Sequence, residues 1–149
     1  MVEIQGTRYV LKRIGADKLF GTATVWRGET RVQISSASRT LVDILDDPAL
    51  VRRNRHVADV VGVCFRGGSR NDAELLAYAA RLGNRTVYKR LGYLIEALGL
   101  DAPDILKACA KAKSSGLTRL DPSGPNKSRI VKRWNLRVNA RIDSAREPA

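Results

Sequence analysis

Arg81, Arg85 and Lys89 recur every four residues, with Arg90 adjacent, so one side of a helix would carry a line of cations. A second line, Lys127, Arg129, Lys132, Arg133, Arg137 and Arg141, runs between Pro122 and Ile142 with no carboxylate to interrupt it. Such lines suit one chemistry in particular. They neutralise phosphates along a polyanion and release its condensed counterions. The competing reading is a solvated face that serves solubility. A third cluster, Arg52, Arg53 and Arg55, stands just before the single histidine, His56. Behind these clusters the charge is uneven. Of a net +12, residues 1–75 hold +3 (12 basic, 9 acidic) and residues 76–149 hold +9 (15 basic, 6 acidic). Aromatic residues are few, and Trp134 is the one inside the C-terminal basic run. Contact with phosphate backbone is therefore expected, rather than stacking on bases.

Groups for bond-making chemistry are sparse. One histidine excludes a His-rich metal site. Asp43, Asp46 and Asp47 crowd the end of a helix and could hold a divalent cation beside a phosphate, but before Pro48 they read more simply as caps and surface charges. Cys64 and Cys109, 45 positions apart, have no metal or redox spacing and suit reduced thiols in a cytoplasmic protein. There is no nucleophile elbow, phosphate-binding loop or dinucleotide fingerprint. No catalytic residue, metal or cofactor is expected. No apolar stretch approaches the ~20 residues that a membrane-crossing helix needs, and no secretory signal pattern opens the chain.

The elements that must position the cations fall in three blocks. Strands are expected over Arg8–Arg13, Phe20–Arg27 and Arg31–Ser35, the last two joined through Gly28. Helices follow. Ser36 or Ser38 caps one bearing Leu41, Ile44 and Leu45, and a second carries Val57, Val60, Val61, Cys64 and Phe65. Asn71 with Glu74 forms a capping box for a third, which ends at Gly83. Asn84 caps a fourth, whose Val87, Leu91, Leu94, Ile95 and Leu98 make the cleanest apolar stripe before Gly99. Asp101 and Pro103 start a fifth. Late strands near Ile130–Val138 are expected to close onto the N-terminal ones. The fold class is thus α+β: one small antiparallel sheet, from N-terminal and C-terminal strands, packed on four to five helices. Residues 1–142 form a single domain and 143–149 a polar tail. The third and fourth helices have the outline of a helix-turn-helix, although Lys89 stands where that motif wants an apolar residue. The preferred alternative is a helical hairpin with a buried apolar face and a wet basic side.

In their order, ISSASRTLVDILDDPAL, RHVADVV, LLAYAARLGNRTVYKRLGYLIEALGL and GLTRLDPSGPNKSRIVKRWNLRVN resemble the C-terminal domain of AbiEi-type antitoxins over roughly residues 20–140. Two parts carry the resemblance. Ser36, Arg39, Thr40, Leu41 and Asp43 open a helix straight after a strand, and Arg90-Leu91-Gly92-Tyr93-Leu94 runs on to Glu96 and Leu98-Gly99. The resemblance implies a type IV toxin–antitoxin or abortive-infection system with a nucleotidyltransferase-like toxin. It also implies a regulator that counteracts the toxin and adds positive surface for DNA, without a stable toxin complex being required. The family's N-terminal winged helix has no counterpart before Arg8, which leaves promoter reading out of this chain's expected repertoire.

The expected function is a non-enzymatic antitoxin domain whose partner is nucleic acid, DNA or RNA, held through phosphates by Arg81, Arg85, Lys89, Lys127, Arg129, Lys132, Arg133 and Arg137. The alternative is a protein-interaction module that docks an acidic partner or the toxin directly. A third reading is a nuclease built on Asp43, Asp47 and His56.

Overall fold

The apolar stripe from Val87 to Leu98 becomes the most deeply buried helix of the described residues. In the computed structural model, which describes residues 1–51 and 54–142, this helix spans Thr86–Ala97, and every residue from Val87 to Ile95 on it is buried. Arg52, Arg53, the side chain of Arg55 and the tail 143–149, all singled out above, lie outside the described residues. Five α-helices are present among those described: α1 (Ala37–Asp46), α2 (Asn54–Arg66), α3 (Asp72–Leu82), α4 (Thr86–Ala97) and α5 (Pro103–Ala112). The class is α+β.

Helix ends follow the local chemistry closely. Ser36 caps α1 by accepting from the Arg39 amide, and Asn71 caps α3 by accepting from the Glu74 amide. Gly83 ends α3 with φ +81°. The cap residue of α4 is Arg85 rather than the expected Asn84 and makes no side-chain cap bond, but Asn84 accepts from the Thr86 amide at 3.1 Å and donates to Asp46 Oδ1 at 2.6 Å, tying the start of α4 to α1. Asp101 does not cap α5. Its cap residue is Ala102, which offers no side-chain acceptor, and Pro103 relieves one of the amides that would need it.

The strands correct the sequence reading. Instead of one shared sheet there are three among the described residues. β1 (Val2–Ile4) pairs with β2 (Thr7–Tyr9), and β3 (Thr22–Arg27) pairs with β4 (Thr30–Ser35), each as an antiparallel hairpin. The C-terminal strands form their own three-stranded sheet in the order β5 (Thr118–Arg119), β7 (Leu136–Arg137), β6 (Ile130–Val131), with β5 parallel to β7. The Arg8–Arg13 expectation failed because Gln5 and Gly6, at φ +49° and +75°, make a tight turn that pulls Thr7–Tyr9 back on Val2–Ile4. The C-terminal strands, two residues each, pair only with one another among the described residues, and Lys89 and Arg90 of α4 hold β5 through Thr118 and Arg119.

That attachment centres on Trp134. The indole is fully buried and lies against Gly92, where an added Cβ would overlap the ring. One turn further along α4, Glu96 accepts from Trp134 Nε1 at 2.8 Å and pairs with Arg133 at 2.6 Å. Leu120 and Leu136 enter the same core. Gly92→Ala would gain about 1 kcal/mol of helix propensity, yet overpacking against the indole opposes it by about 1–3 kcal/mol or more. A lowered urea midpoint is therefore expected for Gly92→Ala. An unchanged or raised midpoint would contradict this packing.

Candidate nucleic-acid interface

Cations at the sequence-predicted sites divide into those the fold consumes and those it leaves in water. Lys89 is the clearest correction. It is fully buried, and its ammonium donates to the Gly116 carbonyl and to Thr118 Oγ1 (2.9 Å), closing the loop before β5. Burial pushes its pKa below the ordinary lysine value, and the nearby Lys113 and Arg90 push the same way. No phosphate can reach it. The position that a helix-turn-helix reserves for an apolar residue is indeed interior, and α4 is too deeply packed to enter a groove.

Arg85 is exposed in outline, but its guanidinium donates to Ala112 O (2.8 Å) and Lys113 O (3.2 Å) at the C-terminal end of α5. Arg81 lies over the Phe20 ring at 4.4 Å, with Arg39 on the same ring at 4.2 Å. The expected wet basic side of the α3–α4 hairpin is therefore largely committed to packing and to helix-end carbonyls. Arg90 is buried as well. It donates to Leu45 O, Asp46 O and Arg119 O, joining the end of α1 to β5.

The C-terminal run differs. Lys127, Arg129 and Lys132 are exposed, as is Arg141. No ion pair is drawn to any of the four among the described residues. Arg133 is exposed but leans on Glu96, and Arg137 is half-buried and donates to Ser128 O at 3.3 Å. The segment is positioned by the β6–β7 pair, in which Ile130 faces Arg137 and the Val138 amide donates to Arg129 O at 2.9 Å. Asn139 braces the turn at Pro122, donating to Asp121 O and Pro125 O and accepting from the Asp121 amide.

This ladder also forms a feature the sequence reading missed. Tyr93 of α4, Ser128, Arg129, Val138, Arg141 and Ile142 line an open cleft of about 520 Å³. Arg129 donates to the Tyr93 hydroxyl at 3.5 Å, and the enclosed Ser128 Oγ has no hydrogen-bond partner. The only signal in the sequence was the flanking pair Arg129 and Arg141. Tyr93 reads as one more core residue of α4.

Acidic side chains are engaged elsewhere. Asp43 pairs with Arg39 at 2.9 Å, Lys12 reaches both Asp46 and Asp47, and Asp47 also caps the turn at Pro48. His56 sits 3.9 Å from Asp59. Among the described residues no group of three His, Cys, Asp or Glu side chains is gathered as a metal site, and no helix is long and apolar enough to cross a membrane. Both thiols are free, and burial raises both pKa values, that of Cys109 to about 12.

Comparisons with family models, curated proteins and solved structures return no match for this chain.

Lys89→Met tests the division between interior and exposed cations. Its folded pKa is lowered, so the charged form costs stability at neutral pH, and that cost fades as pH rises towards the unfolded value of about 10.4. Affinity for a generic DNA duplex, and its dependence on salt, are expected to be the same in Lys89→Met as in the parent. A fall of about 0.9 in the log–log salt slope would show that Lys89 does meet a phosphate.

Proposed function

We propose that this chain is an antitoxin-type regulatory domain, acting without catalysis in the cytoplasm, that lays the exposed cations of its C-terminal segment on nucleic-acid phosphates. The observation that carries the reading is the set Lys127, Arg129, Lys132 and Arg141: four cations in water, on a segment anchored to the core, with no carboxylate between Pro122 and Ile142. Phosphate contacts of this kind give affinity without sequence choice. The antitoxin assignment rests on the sequence resemblance, and it gains physical sense from the elements that carry it. Arg39 joins Asp43 to the Lys18 and Phe20 carbonyls at the strand–helix junction, and Arg90, Gly92 and Glu96 hold α1, β5 and Trp134. These motif residues are scaffold. They would oppose a nucleotidyltransferase-like toxin indirectly, by presenting a surface that covers the nucleic acid on which it acts.

A second reading, a module that docks the toxin or another protein, is favoured by a different observation. The N-terminal hairpins and the segment linking them expose Trp26, Ile34, Val10, Leu11 and Leu19 to water. A toxin complex that survives high salt and is lost in Trp26→Ser would decide for that reading.

Binding to a generic duplex of about 20 base pairs is expected at low ionic strength and should weaken steeply as salt is raised from about 50 to 200 mM. Lys127→Glu combined with Lys132→Glu should weaken binding and flatten the log–log salt slope by about 2. No binding at low salt, or a slope unchanged by the double substitution, would remove the basic segment from the mechanism.

A further inference from the structure

The cleft beside β6–β7 has the composition of an anion site that extends beyond surface charge. Arg129 and Arg141 flank it, and among the described residues no carboxylate lines it. Tyr93 is almost wholly buried, so its hydroxyl is fixed by α4. That hydroxyl accepts from Arg129, which leaves its own proton to donate. Ser128 Oγ is enclosed and unpartnered, an uncommon state for a buried hydroxyl, and an acceptor entering the cleft would satisfy it. Two guanidinium groups and two hydroxyls thus line one cleft, and the bond from Arg129 to Tyr93 leaves most of their donors to a ligand. Val138 and Ile142 add an apolar flank, and about 520 Å³ lies within the range that holds a small organic molecule rather than a bare ion.

We infer that this cleft is a nucleotide subsite: the phosphate of a nucleoside 5′-monophosphate unit sits between Arg129 and Arg141, bonded by the Tyr93 and Ser128 hydroxyls, with sugar and base along Val138 and Ile142. Guanidinium planes suit this ligand because they both pair with phosphate and stack on bases. The unit is either a free nucleotide or the 5′ end of a strand. The inference deepens the nucleic-acid reading above and rests on it in one respect, that the C-terminal segment is held on α4 as described. It gives the surface a defined pocket, where Lys127 and Lys132 offer diffuse attraction.

The test is calorimetric titration of the full chain with AMP, with adenosine, and with a single-stranded octamer carrying either a 5′-phosphate or a 5′-hydroxyl. AMP is expected to bind and adenosine to bind at least tenfold more weakly. Ser128→Ala and Tyr93→Phe, which change no charge, should each weaken AMP about tenfold, and Arg141→Gln should do so by more. Tighter binding of the 5′-phosphorylated octamer than of AMP assigns the site to strand ends, and the reverse order assigns it to free nucleotides. Either ranking supports the subsite. It is overturned if AMP fails to bind the parent protein, if adenosine binds equally, or if both hydroxyl variants bind AMP unchanged. Failure here with duplex binding intact removes the cleft alone. Duplex binding indifferent to Lys127→Glu with Lys132→Glu removes the diffuse surface alone.

Discussion

Everything that presents charge at the C-terminal end depends on Trp134 packing against Gly92. The segment from Thr118 to Ile142 has strands of two residues each, too short to stand as a sheet by their own ladders. Burial of Trp134, Leu136 and Leu120 against α4 supplies what the hydrogen bonds do not. Trp134 fits because α4 has no side chain at position 92, and Glu96 one turn on receives the indole proton. A helix interior normally disfavours glycine by about 1 kcal/mol. Here the loss is offset by a large aromatic surface kept from water.

A second constraint explains where so many cations go. The last carbonyls of an α-helix have no partner within the helix and favour positive charge. In this chain, cations from other elements meet them. Lys18 donates to Arg81 O and Leu82 O at the end of α3, Arg90 to the end of α1, Arg85 to the end of α5, and Arg66 to Leu98 O after α4. A net charge of +12 therefore overstates the free field. Much of the basic composition of α3 and α4 is internal adhesive, which leaves the C-terminal run as the wet part.

The same distinction marks what the sequence could disclose. Caps and stripes were legible, because Ser36, Asn71, Gly83 and the Val87–Leu98 periodicity act through neighbours three or four positions away. The α+β class followed from their order. The partners of the strands were not legible, since pairing β5 with β7 rather than with the N-terminal hairpins is decided by contacts across the core. Lys89 was misread for a related reason. Its spacing from Arg85 suggests a shared wet face, and only the approach of the Gly116–Thr118 loop turns it inward. The cleft lay further out of reach still, because it joins a tyrosine of α4 to a serine and two arginines that flank the late strands, and the sequence does not show which helix those strands meet.

Hydrogen–deuterium exchange of the backbone amides, with and without a saturating short duplex at low salt, tests the central claim most directly. New protection is expected to be confined to residues 126–142, with α3, the start of α4 and the β3–β4 hairpin unchanged. Protection on the hairpin or on residues 81–89, with 126–142 exchanging as before, would contradict it.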